Sequence, residues 1–317
     1  MSRAFVFPGQ GSQIVGMGKD FYDNFAEAKK VFNIVDDVLK YKLSDVIFYG
    51  SIEDLTLTTN AQPAIMAVSI AILQVIIKQS GKNTNELSRF VAGHSLGEYT
   101  ALCGAESLSL ERTTELLRIR STSMQQAVPQ GEGAMAAVIG IESGVLQEAL
   151  DSSSVEGVCQ IANDNTIGQI VISGHAHKVD HMIAVLKDAG YKAIKLKVSA
   201  PFHSSLMKPA EDAMRVALQE ADIMIPIVPL IANVTAKKVN FPPDIQQNLL
   251  AQICGTVRWR ETMDTLCILG VNKILEIGPG KVLSGLAQKS GNGFEVMGVS
   301  DIKEMDQFVN SVIKSKE

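Results

Sequence analysis

The stretch RFVAGHSLGEYTALCGAE, residues 89–106, decides the fold. Its opening, RFVAGH (89–94), is a short apolar run of strand character. Its end places Leu96, Tyr99 and Leu102 at helical spacing. Between them GHSLG (93–97) matches G-x-S-x-G, with Glu98 directly after. Strand, Gly-x-Ser-x-Gly, helix is the context in which a sharp elbow holds a serine hydroxyl clear of the backbone. Gly93 and Gly97 let strand and helix approach closely, which a side chain would block. Either Ser95 is a nucleophile, or the segment is a glycine-rich turn without chemistry.

Outward from this point the chain reads as α/β. AFVF (4–7) predicts a strand, 21–39 a helix and 61–80 a helix buried all round. After the elbow comes a long helix at 109–127. Strands alternating with helices predict a parallel sheet covered on both faces. The middle differs. AMAAVIG (134–140) predicts a strand, 144–150 a helix, 158–163 and 169–174 a strand pair around an NDNTIG turn, 176–189 a helix, and YKAIKLKV a last strand. That β-α-β-β-α-β order is ferredoxin-like. The last strand is expected to alternate, with Lys192, Lys195 and Lys197 toward one side. The expected division is a large α/β domain at 1–129 and 200–317, with a small domain inserted at 130–199. Strand material at 225–235, a helix at 244–253, a strand at 272–278 and a helix over KVLSGLAQKS complete the large part, and FPP (241–243) reads as a turn.

The chain has 317 residues, 46% apolar and 20% charged, so a sizeable core is expected. A net charge of −5 argues against nucleic acid as a partner. Cys103, Cys159, Cys254 and Cys267 are scattered without a C-x-x-C pair, as in reduced cytosolic proteins. MSRAFVFPG lacks a signal-peptide pattern, and AIMAVSIAILQVII (64–77) is shorter than a membrane span and carries Ser69 and Gln74. The expectation is a soluble, cytoplasmic protein.

A serine nucleophile needs a base. His94 lies inside the elbow, pointing the wrong way. His175, His177 and His181 open a helix at a spacing that builds no metal face. His203, in SAPFHSS on a Pro-containing loop after a strand, is either structural or the base. No acid stands out as a third member, so either it escapes notice or a neutral acceptor such as a backbone carbonyl orients His203. FPGQGSQ (7–13) is neither a dinucleotide fingerprint nor a P-loop. It either aims backbone N–H groups at an oxyanion or is an ordinary turn. In helix 109–127, Thr113, Leu116, Leu117, Arg120 and Met124 share one face. Arg120 is then a cation directed at the core, where an unpaired charge is costly. It snorkels, pairs with a structural acid, or receives an anionic ligand in its planar fork.

FPGQGSQ, GHSLGEY, the Q-x-A-V-P-x-G-x-G-A-M run around 126–135, APFHSSLMKPA and EIGPGKVL occur in order along nearly the whole chain. Together they resemble the malonyl-CoA:acyl carrier protein transacylase family of bacterial fatty-acid synthesis. The resemblance implies an α/β-hydrolase-like large domain with a ferredoxin-like insert. It implies that Ser95 is acylated, that His203 is its base, and that the N–H groups of Gln10 and Leu96 form the oxyanion hole. It further implies that Arg120 grips the malonyl carboxylate, that the Gln252 carbonyl orients the histidine, and that Asn163 lines the cleft. The implied partners are malonyl-CoA and acyl carrier protein, without metal or redox cofactor; no nucleic-acid or membrane partner is expected, and the protein is expected to be a monomer. Since carrier proteins are acidic, Lys192, Lys195, Lys197, Lys281 and Lys289 are the expected docking cations. A serine thioesterase and a catalytically dead binding module are the rival readings.

Overall fold

The computed structural model describes residues 2–198 and 200–314. Ser199, the last residue of the expected insert, lies outside the described residues. In chain order the strands are β1 (Arg3–Phe7), β2 (Phe90–Gly93), β3 (Gly133–Ile139), β4 (Cys159–Thr166), β5 (Gln169–His175) and β6 (Lys192–Lys195). They continue with β7 (Leu230–Ile231), β8 (Lys238–Val239), β9 (Val257–Arg258), β10 (Lys273–Ile277) and β11 (Glu295–Val299).

Two sheets result. The first runs β11-β10-β1-β2-β7-β8. Its pairs are parallel except the β7–β8 hairpin, with Phe5 opposite both Leu275 and Val91. Helix Thr58–Ser80 is the centre of the packing on one face. Its residues from Ala61 to Leu73 are all buried, because this stretch is apolar on nearly every side, and exposure begins only at Gln74. Among the described residues it alone is long and apolar enough to cross a membrane, and here it is core.

The second sheet runs β6-β3-β5-β4-β9. Strand alternation divides its burden. Ala134, Ala136 and Val138 of β3 turn toward Val179, Met182 and Leu186 of helix Ala176–Asp188. Met135, Ala162 and Val171 turn the other way into the main core. The edge strand β9 comes from beyond residue 199 and pairs parallel with β4.

Several boundaries differ from expectation for local reasons. The helix expected at 21–39 breaks at Phe25, which is extended (φ −131°) between Lys19–Asn24 and Ala26–Leu39. β4 carries register shifts and extends through Thr166, so Asn163 and Asn165 belong to a strand rather than a turn. The turn that follows uses Gly168 at φ 71°. β6 stops at Lys195, and Lys192 and Lys195 do not share a side. Lys195 lies on the Ala193 side and pairs with Asp180 of the covering helix, while Lys192 and the exposed Ile194 alternate to the other. Of 225–235 only Leu230–Ile231 pairs. Pro242 and Pro243 open helix Pro242–Gln252 instead of forming a free turn, since proline's fixed φ suits a first helical turn. β11 and helix Ile302–Lys314 were not anticipated.

Candidate active site

β2 ends against Ser95, whose backbone sits at φ 54°, ψ −110°, and helix Leu96–Gly104 begins at the next residue. Few non-glycine residues adopt such a conformation, and it costs about 1–3 kcal/mol. Sterics enforce it from both sides. A Cβ on Gly93 would lie 1.8 Å from the Gly97 carbonyl oxygen, and one on Gly97 would lie 2.3 Å from that of Phe7. Asn233, just past β7, clasps the turn. Its Oδ1 accepts from the Ser95 N–H at 2.8 Å, and its Nδ2 donates to the Gly93 carbonyl at 2.7 Å.

His203 faces the raised hydroxyl. Its Nε2 is 2.8 Å from Ser95 Oγ, and its Nδ1 is 2.8 Å from the Gln252 carbonyl. A carbonyl only accepts, so Nδ1 bears the proton and Nε2 is left to accept from the serine. Burial, then the nearby Arg120 charge, pushes the His203 pKa down to about 3. The imidazole is therefore a neutral, proton-accepting base at neutral pH.

Arg120 projects from helix Leu110–Gln126 on the face with Thr113, Leu116, Leu117 and Met124, all buried. It is 1% exposed. Nη1 donates to Gln62 Oε1 at 2.8 Å, and Nη2 to Gln252 Oε1 at 2.8 Å and Ser95 Oγ at 3.0 Å. Every one of these acceptors is neutral. A guanidinium held by neutral acceptors beside a serine hydroxyl is chemically able to pair with an incoming anion.

Ser95, His203 and Arg120 line a cleft of about 390 Å³, together with Gln10, Leu96 and Asn163. Gly9 brings the 7–13 turn against the elbow, since a Cβ there would lie 2.7 Å from the His94 carbonyl oxygen. Among the described residues no protein acceptor engages the backbone N–H of Gln10 or Leu96. His94 Nε2 donates to Asn165 Oδ1 at 2.9 Å, and its ring lies against Trp259. His175 and His177 bond backbone groups near Gly157, and no group able to hold a metal occurs among the described residues. The four cysteines are unpaired thiols. Of the lysines, Lys195 and Lys281 are ion-paired with Asp180 and Glu304, and Lys197 lies at the cleft wall.

Three residues of the constellation escaped sequence reasoning. Gln62 is one of four amides in a largely apolar helix and Asn233 a lone amide after a strand, and nothing in their neighbourhoods marks a partner. Glu98 lay in view beside the motif, but its burial (0% exposed) is a property of the fold.

The acyl transferase domain family matches residues 4–297. The chain belongs to that family, and it is an acyltransferase. Among its relatives, the malonyl CoA-acyl carrier protein transacylase of Bacillus subtilis (strain 168) is 44% identical over 98% of this chain and 96% of that one. The crystal structure of acyl-carrier-protein-S-malonyltransferase from Bartonella henselae superposes with a TM-score of 0.96 at 49% identity, covering 98% and 99% of the two chains. A type II PKS acyl-carrier protein in complex with its malonyl-transacylase gives 0.94 at 35% identity, over 98% of this chain and all of the matched one.

Proposed function

We propose that this acyltransferase moves a malonyl group from coenzyme A to the phosphopantetheine thiol of an acyl carrier protein. The observation that carries the substrate is Arg120, a buried cation on neutral acceptors 3.0 Å from Ser95 Oγ. A neutral acyl group has no use for it, whereas the free malonyl carboxylate matches its fork in two places.

Ser95 Oγ attacks the thioester carbonyl carbon while its proton passes to His203 Nε2. The Gln10 and Leu96 N–H groups take the developing oxyanion charge. The C–S bond breaks, the His203 proton leaves with the coenzyme A thiol, and an O-malonyl Ser95 ester remains. The carrier thiol then attacks this ester, giving its proton to His203, which returns it to Ser95 Oγ as the C–O bond breaks. Two half-reactions through one ester are ping-pong. The Gln252 carbonyl fixes the histidine tautomer throughout, in place of an acid, and Asn163 borders the bound acyl group.

The reading includes an α/β-hydrolase-like large domain (1–129 and 200–317) and a ferredoxin-like insert (130–199), acting as a cytoplasmic monomer. The test is product partition. With malonyl-CoA and holo carrier protein, malonyl carrier thioester should accumulate with little free malonate. Rapid release of malonate irrespective of carrier would make the protein a thioesterase.

A further inference from the structure

Beneath the elbow lies a carboxyl that the reaction above does not use. Glu98 is fully buried in the first turn of helix Leu96–Gly104. Its Oε2 accepts from Gln252 Nε2 at 2.6 Å, and its Oε1 from the Asn233 N–H at 3.2 Å. Gln252 is the hub of the site. The same Nε2 donates to the Ser95 carbonyl at 2.9 Å, its Oε1 accepts from Arg120, and its main-chain carbonyl accepts from His203. An amide side chain has two ends of opposite polarity, and flipping it would set its NH₂ against the guanidinium. A carboxylate offers only acceptors, so it holds the NH₂ end toward itself and sends the oxygen to Arg120.

We propose that Glu98 is a positioning residue for this acyl transfer, acting through the Gln252 amide as the distant counter-charge of Arg120. The series carboxylate, amide, guanidinium aligns one dipole between two buried charges. Direct pairing of Glu98 with Arg120 would satisfy the cation equally well but would fill the fork that the acyl carboxylate must enter. Interposing an amide balances the charge and leaves the fork on neutral acceptors alone, which an acyl carboxylate can displace. Asn233 and Gln252, which clasp the elbow and the histidine, are held by the same carboxylate. The inference rests on the proposed malonyl transfer.

The charged and titratable groups near Glu98 are Arg120 from helix Leu110–Gln126 and Tyr99 from its own helix. Gln252 and Asn233, from the other elements that bond it, do not titrate. Burial pushes the Glu98 pKa up to about 7, above the usual carboxyl value. A raised folded-state value means that the ionised group costs stability, and the cost is felt as pH rises through about 7. A residue kept for folding alone would better be neutral.

The test compares Glu98→Gln and Glu98→Asp with wild type in the full chain at pH 8. It reads kcat, KM for malonyl-CoA, thermal unfolding, and the Ser95 adduct by mass spectrometry. The expected result for Glu98→Gln is a kcat about ten- to a hundredfold lower, with Tm unchanged or raised. Glu98→Asp, which keeps the charge one methylene short, should recover part of the rate. Wild-type kcat in Glu98→Gln, or rate losses that follow Tm losses in both variants, would overturn the role. Failure of the wild-type protein itself to form the Ser95 adduct would instead overturn the proposed function.

Discussion

At the scale of single residues, the proposed chemistry turns on two charges: the one Arg120 keeps and the one His203 declines. Arg120 bonds only neutral acceptors. A charge-assisted hydrogen bond is worth roughly 1.5–3 kcal/mol, about ten- to more than a hundredfold in rate. Arg120→Ala should lose malonyl transfer by that order while keeping or gaining acetyl transfer, and Arg120→Lys should restore only part, lacking the planar fork. Equal losses for both acyl groups, measured side by side, would make Arg120 structural. For His203 the folded pKa, about 3, lies below the unfolded value of about 6.5. The unfolded chain therefore binds the proton first, and stability falls as pH drops from about 6.5 toward 3. His203→Gln should reduce the pH slope of unfolding free energy by up to one proton in that window. An unchanged slope would mean that His203 is charged in the folded protein.

At the scale of elements, the elbow is a steric device. Gly93→Ala places a methyl 1.8 Å from a backbone oxygen that no side-chain motion can relieve. The cost should reach or exceed the ~1–3 kcal/mol usual for overpacking. Trp259 is the only tryptophan and lies 5.5 Å from the His94 ring, so its fluorescence can follow unfolding around the elbow. A Gly93→Ala protein of wild-type stability would contradict the packing account. The elbow was legible because one short segment contains its strand, its turn glycines and its helix. The inward face of helix 109–127 was legible for the same reason, since periodicity reports Arg120 next to leucines. Gln62 and Asn233 were not legible, because each acquires meaning only from a partner 58 or 138 residues away. The misplaced strand edges have a related cause. β4 extends through Thr166 where β5, across the hairpin, meets it. β6 ends at Lys195 although its alternating pattern runs on, and Leu196 and Val198 beyond it pack against the main core.

At the scale of the whole molecule, the second sheet is not self-sufficient. Met135, Ala162 and Val171 belong to the main core, and β9 reaches β4 from the far side of the chain. Arg260, next to β9, also bonds the buried Asp164 of β4 at 2.8 Å. An isolated 130–199 fragment should therefore lack a cooperative thermal transition, and the full chain should unfold both sheets together. Two separated calorimetric transitions in the full chain would contradict this coupling. The same coupling brings Asn163, on β4, to the cleft that also contains Ser95, beside the first sheet. The central claim is that this serine carries the acyl group, and its most direct test is mass spectrometry of the intact protein and its peptides after brief exposure to malonyl-CoA. The account predicts one malonyl adduct, on Ser95, that disappears on adding holo carrier protein and is absent from Ser95→Ala. An adduct that survives in Ser95→Ala, or maps to another residue, would contradict it.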